Sequence, residues 1–341
     1  MHPLTRQFAN TIGWRFPLER TLAGRGPVIL VYHGVPRRDA LITGDVFERH
    51  VRFLVHHFDM VGTDGLGTKR RRSSRIRVLL TFDDGFCNHA EVAAPILARY
   101  RVPAIFFIPS RHADRGRYLW FSYLRLLEKY FRGNGFLFGG EFWDMSGNRR
   151  LETVARLRQQ LLELAPHPTS MYQAIEEELP RIEDFVSQQV LRDHAAGMTP
   201  EQVGELARNP LFTVGVHTVD HPLLTRCERQ EAAHQIETNR RWLETLSGQA
   251  CDLIAYPVSD FSESVLQQCR ELGFQWGFSV EQKIKGDASL QLPRVGVYFP
   301  SLTELGCKVR WGNLITRLKR PPVSMFASSP ASGTTAAQGL A

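Results

Sequence analysis

The chain has 341 residues, 43% hydrophobic and 23% charged, with a formal net charge of +7 and a pI near 9.3. That composition suits a soluble globular fold with a sizeable core and excludes a low-complexity or disordered chain. No apolar run reaches the ~18 residues that a membrane-spanning helix needs.

Residues 1–26 alternate polar and apolar side chains without a continuous apolar centre, so they do not read as a secretory signal. Within this arm, residues 4–22 are either a basic amphipathic segment lying on a membrane surface or a docked chain end. The first buried strand is expected at 28–32 (VILVY) and a helix at 45–58. Next comes the cationic run of Lys69, Arg70, Arg71, Arg72 and Arg75. No aromatic stacking motif or zinc-finger spacing accompanies it, so it points away from nucleic acid and toward a solvated loop. An anionic glycan or lipid surface is the natural partner for such charge.

Further strands are expected at 78–82 (VLLTF), 104–108 (AIFFI), 212–216 (FTVGV), 252–256 (DLIAY), 276–280 (WGFSV) and, more weakly, 294–298 (RVGVY). Near-continuous apolar strands of this kind belong to parallel sheets covered on both faces. Helical spacing fills 90–100, then 226–246, which opens on Thr225-x-x-Glu228 as a capping box and stops before Gly248. Another helix, 262–272, ends at Gly273. The alternation predicts an α/β fold, a distorted (β/α) barrel of about seven strands.

Residues 111–208 break the rhythm, with helical periodicity in 120–131, 150–164 and 181–195, a helix start at Thr199-Pro200, and no convincing strand. They are expected to form a helical insertion on one rim of the barrel, either shaping a substrate cleft or standing clear of it. The barrel domain is placed at 27–320, and 321–341 is a small, polar, Pro-rich tail expected to be disordered. Five cysteines, at 87, 227, 251, 269 and 307, are odd in number and lack C-x-x-C spacing, which favours reduced thiols. Cys87 stands beside the first motif, either as a buried packing thiol or as a nucleophile.

Chemistry concentrates at two strand ends. Thr81-Phe82-Asp83-Asp84-Gly85 follows VLLTF and places two adjacent carboxylates where α/β sites assemble. Adjacent carboxylates repel when ionised, so a cation is expected near them. His217-Thr218-Val219-Asp220-His221-Pro222 follows FTVGV, and Pro222 disfavours a helix at His221, so this histidine pair sits on a loop. Three ligands and a spare carboxylate are the inventory of an open catalytic zinc or similar divalent site.

These two motifs resemble those of the polysaccharide deacetylases of carbohydrate esterase family 4 (the NodB-homology domain). The Thr-Phe-Asp-Asp-Gly and His-[Ser/Thr]-x-x-His-Pro patterns are met without substitution at 81–85 and 217–222. The resemblance covers roughly 27–110 and 209–300, not the insertion. It implies a distorted barrel, with Asp84, His217 and His221 holding a divalent metal, most naturally Zn²⁺, and Asp83 as general base. The third motif of the family, Arg-x-Pro-Tyr, stands here as Ala255-Tyr256-Pro257-Val258, keeping the proline and losing the arginine. Tyr256 and Pro257 are then expected on the substrate and oxyanion side. Arg294, in Leu292-Pro293-Arg294-Val295, either replaces the missing arginine beside the catalytic aspartate or is a surface residue at a strand start.

The histidine that closes the family pattern as general acid is missing, since no histidine follows His234. His33, at the end of VILVY, is placed on the same rim as acid, substrate contact or neighbour of the ligands; His89 is a structural alternative. The resemblance implies removal of N-acetyl groups from an amino sugar in a glycan or a lipid-linked precursor. An O-acetyl esterase or N-deformylase acting on a sugar, and a catalytically silent glycan-binding protein of the same fold, remain as alternatives. The absence of a signal pattern adds the expectation of a cytoplasmic enzyme, with peripheral contact at the inner membrane face.

Overall fold

The computed structural model describes residues 26–67, 75–114, 117–280 and 288–318. Most of the N-terminal arm, the run Lys69 to Arg72 and the 321–341 tail lie outside the described residues. In the first half of the barrel, β1 (Val28–Tyr32) leads to α1 (Gly44–His57) and a short β2 (Asp59–Met60). Then follow β3 (Arg77–Phe82), a π turn at His89–Ala93, α2 (Ala94–Arg99) and β4 (Ala104–Ile108). The insertion carries α3 (Ser110–Asp114), α4 (Trp120–Tyr130), β5 (Gly135–Phe138), β6 (Glu141–Asp144), α5 (Arg149–Glu163), α6 (Pro168–Glu177) and α7 (Gln188–His194). The second half comprises α8 (Pro200–Arg208), β7 (Phe212–Val216), α9 (Arg229–Ser247), β8 (Leu253–Ala255) and α10 (Glu263–Glu271). It ends with β9 (Trp276–Ser279), β10 (Leu292–Gly296) and α11 (Leu302–Leu318).

Seven parallel strands close in the order β1-β10-β9-β8-β7-β4-β3, because β3 also pairs with β1; β2 hangs on β3 outside the ring. This is the expected distorted (β/α) barrel. Strand parity sorts its side chains into two cores. Ile29, Leu79, Ile105, Phe107, Leu253, Ala255 and Phe278 fill the lumen, while Leu30, Leu80, Phe106, Val214 and Ile254 pack outward against the helices. Gly215 on β7 is what admits the ring of Phe107, which lies 2.6 Å from where a Cβ would stand. Parity also decides the site. Residues 81 and 83 continue the lumen-facing series of Leu79, 217 continues that of 213 and 215, and 33 continues that of Ile29.

Most helix signals hold. Thr199 and Gln202 form a capping box, Ser262 caps α10, and Gly248 and Gly273 adopt φ of 67° and 76° after their helices. The expected capping box at Thr225 is corrected. α9 starts at Arg229, and Thr225 instead bonds the Asp260 carboxylate through its amide (2.7 Å) and hydroxyl (2.9 Å).

The insertion has its own core around Leu127, Trp143, Leu157 and Tyr172. It also contains strands, contrary to expectation: β5 and β6 pair antiparallel around Gly139-Gly140, at φ 58° and 78°. Two consecutive left-handed residues match the twist of a tight hairpin, and glycine takes them without strain. The flanks, GFLF and EFWD, lack clean alternation because Leu137 and Phe142 are apolar on the exposed face.

Candidate active site

The first motif leaves β3 through a tight turn in which Asp84 has φ 76° and Gly85 φ 64°. Left-handed backbone at a non-glycine residue is costly, and it redirects Asp84 out of the parity series to lie beside the second motif. Any Cβ at position 85 would stand 2.8 Å from Cγ2 of Ile108, so this residue must be glycine on two counts. The second motif is bent similarly, with Thr218 at φ 67° and His221 at φ 54°.

The outcome is a buried cluster of Asp84, His217 and His221 whose ligand atoms lie within 4.8 Å of one another. Oδ1 of Asp84 is 3.5 Å from Nε2 of His217 and 3.4 Å from Nε2 of His221. Nδ1 of His217 donates to the carbonyl of Ala255 at 2.8 Å, which leaves the Nε2 lone pair for a metal. Two imidazoles and one carboxylate are a donor set that a divalent cation of the zinc type fits, with positions left over for water and substrate. Burial would lift the Asp84 carboxyl, but the facing rings of His217 and His221 hold it well below the carboxylate range.

Asp83 does not join that cluster. Its carboxylate is gripped by Arg294, Nη1 to Oδ1 at 2.7 Å and Nη2 to Oδ2 at 2.6 Å, and Nη1 lies 3.3 Å from the Thr81 hydroxyl. Arg294 is 2% exposed and lies mid-strand on β10, in register with Ile29 of β1. Burial would raise the Asp83 carboxyl, and the charge of Arg294, followed by that of His217, outweighs it and keeps the group ionised. His33 follows β1 and lines the same cavity as Asp84, with its ring 5.5 Å from that of Tyr298 and its Nδ1 buried without a hydrogen-bond partner among the described residues.

Other expectations fare differently. The hydroxyl of Tyr256 is turned into the core, donating to Leu290 at 3.0 Å, and its amide donates to Phe278 at 3.2 Å. Pro257 has no N–H, so neither residue offers an oxyanion donor. Val258 and Ser259, at φ 53° and 56°, both carry left-handed backbone at that turn. His89 donates from Nε2 to the carbonyl of His33 (3.1 Å), and burial pushes it down to about 4, a structural neutral histidine. Burial likewise pushes the Cys87 thiol up to about 12 and its Sγ bonds the Arg192 carbonyl, which leaves no nucleophile. All five cysteines are free.

Sequence reasoning missed what steadies the second motif. The insertion grips it: Trp120 donates to the His221 carbonyl (3.4 Å), Tyr172 to that of Asp220 (3.0 Å), and Phe121 lies 5.0 Å from the His221 ring. Buried Arg111 pairs with Asp220, and Gln235 of α9 donates to the same carboxylate at 2.7 Å. His112 lies 2.9 Å from the carbonyl of Asp84 and 2.7 Å from that of Ala195. The insertion also lines the cavity, of about 520 Å³, through Phe121, Arg125, Leu126, Lys129 and Tyr130. No sequence signal marked these contacts, because they join segments from 15 to 109 residues apart that meet only in the folded chain. No helix among the described residues is long and apolar enough to cross a membrane.

A family profile described as polysaccharide deacetylase matches residues 70–277. YxkH of Bacillus subtilis (strain 168), a proposed polysaccharide deacetylase, is 26% identical over 88 residues, 26% of this chain and 31% of that protein's length. Among solved structures, the Streptococcus pyogenes deacetylase PplD in complex with acetate superposes with a TM-score of 0.50 at 17% identity, covering 86% of this chain and 98% of that one. IcaB from Ammonifex degensii gives 0.52 at 18% identity, covering 84% and 98%. At these identities the two likenesses establish the fold.

Proposed function

The chain belongs to the polysaccharide deacetylase family, and on that premise we propose that it hydrolyses the N-acetyl group of an amino sugar in a glycan or glycolipid precursor. The observation that carries this reading is the division of labour between adjacent carboxylates. Asp84 faces two histidine nitrogens, while Asp83 is held apart, ionised, by Arg294.

Asp84, His217 and His221 would hold a divalent cation, which supplies Lewis acidity toward the acetyl carbonyl and acidifies water at the site. Asp83 takes a proton from the attacking water, and the fork of Arg294 fixes the direction from which it does so. Of the titratable side chains on the cavity wall, His33 is the histidine that follows a barrel strand beside Asp84, and in this reading it donates a proton to the departing amine.

The test is acetate release from N-acetylated amino-sugar oligomers by zinc-loaded protein, beside Asp83→Asn. Turnover lost in a variant that retains its metal supports the roles assigned. Full activity of Asp83→Asn, or no acetate from any acetylated sugar with metal bound, refutes the reading.

A further inference from the structure

One wall of the cavity takes no part in the chemistry above. It is the face of α4 that carries Phe121, Arg125 and Lys129, three residues spaced four apart and therefore stacked on successive turns. Phe121 touches His221, and each step of four residues advances about 6 Å along a helix. Arg125 and Lys129 thus stand about 6 and 12 Å along the helix from Phe121, the scale of one to two sugar units.

Neither cation has a carboxylate partner among the described residues. Arg125 gives one N–H to the carbonyl of His194 at 2.7 Å, and Lys129 lies 5.1 Å from the Tyr130 ring centre. Two other acids line the cavity. The Asp193 carboxylate is buried and accepts from Gln189 at 3.0 Å, and Asp39 sits on the loop after β1. The carboxylate whose charge acts most on Arg125 is that of Asp84, across the cavity. A guanidinium fork beside an ammonium point charge, both facing a cavity and without an ion-pair partner among the described residues, is the chemistry that receives an oxyanion.

We infer that Arg125 and Lys129 form an anion subsite that binds a phosphate or carboxylate substituent of the substrate, one to two sugar lengths from the acetyl group. The position of the acetyl group rests on the deacetylase reading; the subsite itself does not. The substrate class is therefore an acidic N-acetylated glycan or a sugar phosphate, rather than a neutral homopolymer.

The experiment is calorimetric titration of the zinc-loaded full chain, at low salt, with N-acetylglucosamine, N-acetylglucosamine 1-phosphate and a glucuronate-containing N-acetylated disaccharide. The expected result is that at least one anionic ligand binds about 10- to 100-fold more tightly than the neutral sugar, the range of charge-assisted hydrogen bonds. Which of the two does so identifies the substituent as phosphate or carboxylate. Arg125→Gln/Lys129→Gln, checked for native circular dichroism, is expected to erase the preference. Equal affinities in the unaltered chain, absence of binding included, overturn the inference. A preference that survives the double substitution also overturns it, because the anion then sits on the metal centre. Acetate release is scored separately: a chain that binds the anionic sugar and releases no acetate keeps the subsite and loses the deacetylase reading.

Discussion

Arg294 and Asp83 are 211 residues apart in sequence and meet in a two-pronged ion pair, 2.7 and 2.6 Å, near the carboxyl edge of the barrel. The pair does two things at once. It compensates a carboxylate that is 5% exposed, and it fixes the orientation of the group proposed as base. Arg294→Met leaves that charge buried and alone, which costs about 3–5 kcal/mol of stability. In the proposed mechanism the same change raises the Asp83 carboxyl toward neutrality, so the acid limb of the pH–rate profile moves to higher pH and kcat falls about 100-fold. Arg294→Lys restores charge without the fork and should recover the pH limb more than the rate. A stability loss with an unmoved pH profile would mean that Arg294 only holds the fold.

His33 is the next target. If it protonates the departing amine, His33→Gln should slow cleavage of an acetamide by about 100-fold and spare an ester with a good leaving group. Equal losses on both substrates would assign His33 to binding.

The insertion is tied to the metal ligands through Arg111 and Asp220, both buried. Arg111→Met removes the partner of a buried carboxylate and should destabilise the protein by about 3–5 kcal/mol in urea titration. The loop of His217 and His221 loosens with it, so zinc affinity should fall in competition with a chromophoric chelator. Unchanged zinc affinity would show that the ligands hold their positions without this anchor.

Acid sensitivity follows from His89. Its pKa falls from the ordinary 6.5 to about 4 in the folded protein because it is buried. The unfolded chain therefore binds the proton first, and the contribution, complete above pH 6.5, is lost as pH falls toward 4, approaching about 3 kcal/mol. Thermal unfolding followed from pH 7 to 4 should show this limb, and His89→Gln should flatten it. An identical slope in the variant would place the sensitivity in other buried histidines, such as His50 and His112, which burial also pushes down.

The sequence by itself determined the seven barrel strands, the two motifs and the face on which most of their side chains stand. Those features are local: apolar runs specify buried strands, and a period of two carries Thr81, Asp83, His217 and His33 to the lumen side without knowledge of any partner. Arg294 was legible as a candidate because it falls where the last motif of the resemblance should lie. Only the tertiary structure decided its partner, since an ion pair across 211 residues depends on how the ring closes. The oxyanion part of the expectation for Tyr256 and Pro257 meets a related obstacle. Whether an amide is free depends on the neighbouring strand, and Phe278 had already taken that of Tyr256. The insertion was read as helical and unassigned, and its hairpin was missed because both strand faces are apolar. Its grip on the histidine loop and its cationic wall arise from packing between segments 48 to 109 residues apart, which no local pattern encodes.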